Sequence, residues 1–267
     1  MNPKQISIIN MRTNTLPLIA HVPHGAVFIP KKGRRGIILN NADLARELVL
    51  MTDRFTPHLF SGIAARGGLM FVNNLNRLVV DPERFENDKD EPMSKKGMGA
   101  VYVKTAYQET LRREMPASER EKMILEYYRP YHQVFAKLTQ KTLARFGQCL
   151  IIDCHSFPSK PLPYEFDQST NRPDICLGTD KFHTPKKLIT AIFAFFQKNK
   201  LSVAQNTPFS GTYVPLPYYK KNKNVRSIMI EINRAAYMDE TTGKRNQKYR
   251  AMEKSIDELI KIIIQIS

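Results

Sequence analysis

Short apolar runs alternate along the chain with stretches of helical periodicity, the pattern of an α/β sheet joined by helical crossovers. Leu18 to Val22 reads as a strand that ends at Pro23. Leu44, Leu48 and Met51 recur at helical spacing and predict a helix over 43–51. Residues 69–72 and 78–80 are short strand candidates. Ser118 and Glu121 just after Pro116 form a capping box, so a helix is expected to start there. Pro130 is expected to break or kink it, with the pattern resuming to Phe146 and stopping at Gly147. Residues 150–152, 175–177 and 227–232 read as buried strands. Thr184-Pro185 opens a helix to about Lys198, and Met252, Ile256, Leu259, Ile260 and Ile263 predict a C-terminal packing helix. Two stretches read as loops instead, the polar 84–99 and the proline-rich 157–172. No internal repeat or low-complexity segment interrupts the series.

Composition narrows the picture. A chain of 267 residues with 42% hydrophobic positions can bury a core without staples, so a metal here is expected to be catalytic rather than structural. Cys149, Cys154 and Cys176 include no C-x-x-C pair, which argues against a disulfide framework and for a reducing compartment. The first residues lack the basic start and apolar core of a signal peptide, and no apolar run approaches the ~20 residues of a membrane span. A soluble, cytoplasmic protein without membrane contact is expected. The 41 Lys and Arg against 25 Asp and Glu give a net charge of +16, a field that recruits anions. The basic residues fall in scattered short clusters rather than in one arm or helix. Nucleic acid is therefore a rival partner supported by charge alone.

In open α/β sheets ligands gather beyond the carboxyl ends of strands. His24 follows one predicted strand, Asp153 and His155 follow another, and Glu231 lies at the end of a third. Two imidazoles and a carboxylate converging there would suit a zinc ion with one open position, and a nearby Glu would move the proton of a bound water. Each residue also has a plainer reading. His24 before Gly25 suits a tight turn, and His155 suits a hydrogen bond to the backbone. Spacing alone leaves these alternatives open, because no compact metal motif such as H-E-x-x-H is present. A Cys154–His155 nucleophilic pair is disfavoured, since adjacent strand residues point to opposite faces.

Seven motifs in order carry a family resemblance: Pro23-His24-Gly25 with Ile29-Pro30; Asp53; Asn76-Arg77 through Asp81-Pro82-Glu83-Arg84; Asp153-Cys154-His155-Ser156; Leu177-Gly178-Thr179; Ser210-Gly211-Thr212-Tyr213; and Met229 through Glu231, Asn233 and Arg234 to Tyr237. From about Leu18 to Met238 the chain resembles the N-formylglutamate amidohydrolase family. The resemblance implies one α/β domain over 1–267, a mixed, mostly parallel sheet flanked by helices, with the phosphorylase/hydrolase-like architecture of zinc exopeptidases. It implies zinc held by His24, Asp53 and His155. Asp53 stands in for the Glu that related carboxypeptidases place three residues after the first His, where this chain has Val27. It makes Glu231 the general base, Arg77 the oxyanion partner and Arg84 the clamp on a substrate carboxylate. The plainer alternative for either arginine is an ion pair with Asp81 or Glu83. Asp153 would orient a ligand His, and Ser156, Thr179, Tyr213 and Asn233 would line the pocket. The implied reaction is hydrolysis of a small acidic N-acyl, in the first instance N-formyl, amino acid. One departure stands out: the family commonly reads Asp-Leu-Asn-Arg where this chain has Asp81-Pro82-Glu83-Arg84. Glu83 would repel an acidic substrate group if it pointed inward. A non-catalytic family member is a further alternative, opposed by the intact Glu231.

Overall fold

The computed structural model describes residues 5–10 and 12–267. Seven strands form one sheet: β1 (Ile6–Ile9), β2 (Leu18–Val22), β3 (Leu69–Asn73), β4 (Cys149–Phe157), β5 (Ile175–Gly178), β6 (Val203–Gln205) and β7 (Val225–Asn233). Their order across the sheet is β1-β3-β2-β4-β7-β5-β6. The β2/β3, β2/β4, β4/β7 and β5/β6 pairs are parallel, and β1/β3 and β5/β7 are antiparallel. The helices are α1 (Lys31–Arg34), α2 (Asn41–Met51), α3 (Thr56–Leu59), α4 (Gly62–Ala65), α5 (Ala117–Met123), α6 (Arg129–Phe146), α7 (Lys186–Lys198) and α8 (Tyr249–Ile266). Among the described residues no helix is long and apolar enough to cross a membrane.

The central strands are apolar on both sides because helices cover both faces. Alternation assigns the faces. Leu18, Ala20 and Val22, Leu150, Ile152 and Cys154, and Ile228, Ile230 and Ile232 enter one core with side chains of α7 and α8, including Leu188, Ile192, Ile256 and Leu259. Ile19, Phe71, Cys149 and Ile151 enter the opposite core, against Tyr131, Phe135 and Leu138 of α6. The second face continues past these residues toward the carboxyl ends of β2, β4 and β7. There its positions are polar: His21, Asp153, His155 and Glu231.

Several elements differ from the pattern in the sequence. Residues 78–80 form a turn, not a strand. Leu78 and Val79 are fully buried there, so a buried turn shows the same apolar run as a short strand. Helix α5 begins at Ala117 after Pro116, with no side-chain cap from Ser118. Pro130 does not break the helix, because a π turn over Ile124–Tyr128 sets it in the first turn of α6. Gly147 ends α6 at φ 72°, where a side chain would be strained. Strands β1 and β6 are edge strands of four and three residues, too short to announce themselves.

A polar residue on α2 gives a stability prediction. Glu47 is 4% exposed and accepts the Ala106 N–H at 2.7 Å. Burial raises its pKa from 4.5 to about 7, against the lowering effect of that hydrogen bond. Between those values the folded chain keeps a proton that the unfolded chain has released. Stability therefore falls as pH rises through this window and levels off above it. At ~1.36 kcal/mol per pH unit the cost is about 3 kcal/mol. Glu47→Gln is expected to match the wild type in denaturant unfolding near pH 4 and to be more stable by about that amount at pH 8.

Candidate active site

Sheet register brings the polar residues together. His21 of β2 pairs with Asp153 of β4, and His155 of β4 pairs with Glu231 of β7. Residues in register share a face, so these four side chains rise from the same side of the sheet. Asp153 and His155 lie within β4, not beyond it, because the strand runs on to Phe157. Cys154 between them points to the other core, where its thiol donates to the Ile152 carbonyl and burial pushes its pKa up. This orientation removes it from any pairing with His155.

The two histidines are each oriented by a carboxylate. His24 is 1% exposed, and its Nε2 lies 2.8 Å from Asp81 Oδ1. Burial alone would raise the Asp81 pKa, but the Arg77 charge, with His24 and Arg84, holds it well below the usual carboxylate range. An ionised Asp81 accepts the Nε2–H and leaves the lone pair of Nδ1 exposed to the site. That Nδ1 is buried without a hydrogen-bond partner among the described residues. His155 repeats the arrangement: its Nε2 is 3.0 Å from Asp153 Oδ1, and its Nδ1 is 3.1 Å from Asp53 Oδ2. Asp153 also accepts from His21 Nδ1 at 2.8 Å and from the Tyr213 N–H at 2.9 Å.

Asp53 follows the end of α2 and is pinned at both ends. Its N–H donates to the His24 carbonyl at 3.0 Å, and its Oδ1 accepts from Arg234 at 2.8 Å. The other oxygen, Oδ2, bonded to His155 Nδ1, stands 3.8 Å from His24 Nδ1. Burial opposes its ionisation, but the hydrogen bond from His155, the proximity of His24 and the Arg234 charge hold the pKa well below normal. Glu83 reaches the same space from the Asp81-Pro82-Glu83 turn, where its N–H donates to Asp81 Oδ1. Its carboxylate lies 3.1 Å from His155 Nε2 and 3.7 Å from His24 Nδ1. One donor atom each from His24, Glu83 and His155 lies within 4.8 Å of the others. The same holds for His21, Glu83 and Asp153.

These residues fit a cation. A lone pair buried without a partner, next to ionised carboxylates, is the environment a metal completes. Ligands bound at ~2.1 Å in a tetrahedral site stand about 3.4 Å apart. The separations from Asp53 Oδ2 to the two Nδ1 atoms are 3.1 and 3.8 Å, while the set that brings one donor atom of both histidines and a carboxylate within 4.8 Å of one another takes Glu83 as the carboxylate.

A cavity of about 560 Å³ opens over the cluster. His24, Asp53, Arg77, Arg84, Asp153, His155, Ser156, Tyr213 and Glu231 all line it. Thr179 and Asn233 are not among its lining residues, in contrast to the sequence expectation. Thr179 Oγ1 accepts from Gln205 and Asn206 at the β5–β6 edge. Asn233 accepts the Ala235 N–H in a helical turn and donates to the Pro173 carbonyl. Both side chains are engaged locally. Glu231 is 7% exposed, and its Oε2 has no partner among the described residues. Burial pushes its pKa up to about 8, against the lowering effect of His155. Arg77 donates to Asp81 through Nε and Nη2 and to the Tyr102 hydroxyl through Nε. The ion pair with Asp81 thus exists, but it is buried and built into the site wall.

Glu83, Asp81, Arg234 and His21 were not among the expected catalytic or ligand residues, and Asp81 and Glu83 figured in the sequence only as ion-pair partners of the arginines and, for Glu83, as a charge that repels an acidic substrate. All but His21 sit in the family motifs, which was the available signal. Their directions depend on turn geometry and strand register that no local pattern encodes.

Comparisons with known proteins identify the family. The N-formylglutamate amidohydrolase family profile matches residues 16–238. The N-formylglutamate deformylase of Pseudomonas putida is 26% identical over 240 residues, covering 88% of this chain and 86% of its own. That of Pseudomonas aeruginosa is likewise 26% identical, covering 87% and 86%. In fold, the chain superposes on N-formylglutamate amidohydrolase from Ralstonia eutropha JMP134 with a TM-score of 0.82, at 21% identity and 98% coverage of both chains. A gene product of Agrobacterium tumefaciens matches with a TM-score of 0.73, at 16% identity and 99% and 96% coverage. With its sheet-end cluster of histidines and carboxylates and a matching profile along most of its length, the chain belongs to the N-formylglutamate amidohydrolase family of amide-bond hydrolases.

Proposed function

We propose that the chain is a zinc-dependent amidohydrolase that cleaves the N-acyl, in the first instance N-formyl, bond of an amino acid. The observation that carries this is His24 Nδ1, buried without a partner, with its ring locked by Asp81 and facing the site that Asp53 and His155 share. His24 Nδ1, Asp53 Oδ2 and His155 Nδ1 are the proposed ligands, since all three are held from behind by hydrogen bonds or ion pairs. Glu83 is longer and more exposed and stands at the open side. A divalent ion held there supplies Lewis acidity toward a carbonyl and a water of pKa ~7.

The remaining steps belong to the chain's own groups. Arg84 carries no hydrogen bond to the protein through its guanidinium among the described residues, and it pairs with the substrate carboxylate. Glu231 takes the proton of the attacking water and delivers it to the leaving amine nitrogen; a pKa near neutrality suits both transfers. Arg77 is fixed through Nε and Nη2, so Nη1 is the edge left to face the developing oxyanion. Treatment with a chelator should abolish release of free amine from N-formyl amino acids, and one equivalent of zinc should restore it. Activity that survives full metal removal would overturn the proposal.

A further inference from the structure

We infer that the amino acid released at this site carries a single carboxylate and an apolar side chain; the inference rests on the amidase reading above and names its substrate class. Few cations are available at the site. Three arginines line the cavity. Arg77 is committed to Asp81, and Arg234 to Asp53. Arg84 alone among them has no carboxylate within 3.5 Å, its nearest being Asp81 at 3.7 Å. One guanidinium holds one substrate carboxylate. A second carboxylate would meet Glu83, which points into the cavity, and Asp167, which also lines it. An unpaired anion brought there loses its water without compensation.

The cavity also carries exposed apolar side chains. Phe85, Phe166 and Leu216 are 49%, 64% and 58% exposed, and all three line this cavity. Phe166 rides on a loop fastened by the buried Glu165–Arg172 ion pair, and Arg172 also donates to the Pro158 and Asp167 carbonyls. That bracing holds an exposed phenylalanine at the mouth rather than letting it fold away. Large apolar side chains gathered at the opening of a polar site gain by covering an apolar substituent, not a carboxylate.

The test uses the zinc-loaded protein and four substrates: N-formyl-leucine, N-formylphenylalanine, N-formylglycine and N-formylglutamate. The expected kcat/KM for the leucine or phenylalanine compound exceeds that for the glutamate compound by about 10- to 100-fold. Phe166→Ala and Leu216→Ala, both at exposed positions, should each reduce the leucine-to-glycine ratio severalfold. N-formylglutamate equal or preferred overturns this inference while the amidase reading stands. An unchanged leucine-to-glycine ratio in both variants also overturns it. No hydrolysis of any of the four removes the amidase reading and this inference together.

Discussion

Glu231→Gln is expected to lower kcat/KM by on the order of 10³-fold, with zinc content and KM close to wild type. The amide keeps the shape of the side chain but neither accepts nor delivers the proton. Glu231 stands in register with His155 on the neighbouring strand, so its carboxylate rises from β7 on the same face as the candidate metal cluster. Its burial, and an oxygen without a partner among the described residues, make the ionised form costly in the folded protein. A neutral amide removes that cost, so the same variant should unfold at an equal or higher temperature. Loss of activity with unchanged or improved stability separates a chemical role from a packing one. Activity within tenfold of wild type would mean that another group moves the proton.

Asp81→Asn should damage two properties together. Asp81 is fully buried and accepts from His24 Nε2, from Arg77 through two nitrogens, from the Tyr102 hydroxyl and from the Glu83 N–H. An amide offers one acceptor oxygen and a donor group, so it must turn a donor toward His24 or toward Arg77. Facing His24, it reverses the tautomer and withdraws the Nδ1 lone pair from the site. Zinc affinity should then fall about 10- to 100-fold, as measured by competition with a chromophoric chelator. Facing Arg77, it leaves a buried guanidinium without its counter-charge, and unfolding stability should fall by about 3–5 kcal/mol. Lost stability with undiminished zinc affinity would make Asp81 a packing residue only.

Much of this fold was legible because its central strands are buried on both faces. Apolar runs such as Ile151-Ile152 and Ile228-Met229-Ile230 announce themselves, and the helices between them carry clear apolar stripes. The edge strands β1 and β6 are short and only partly buried, so an alternation such as that of Ile6 and Ile8 spans too few positions to stand out. Residues 78–80 misled for the opposite reason, since a turn packed into the core needs apolar side chains as a strand does.

The candidate site shows the same division. His24, His155 and Glu231 were legible because a polar residue at the carboxyl end of an apolar strand demands a reason. Asp53 came from the family pattern, and its place follows from the hydrogen bond of its N–H to the His24 carbonyl. The inward turn of Glu83 was not legible, because the Asp81 side chain sets it by accepting the Glu83 N–H. Thr179 and Asn233 sit beside the right strands, yet local turn and edge hydrogen bonds claim their side chains.

The most direct test is anomalous diffraction at the zinc edge from crystals of the zinc-loaded protein. One strong peak is expected at bonding distance from His24 Nδ1, His155 Nδ1 and Asp53 Oδ2. A peak bound through Glu83 in place of Asp53 would correct the ligand set. No peak at the two histidines would contradict the central claim.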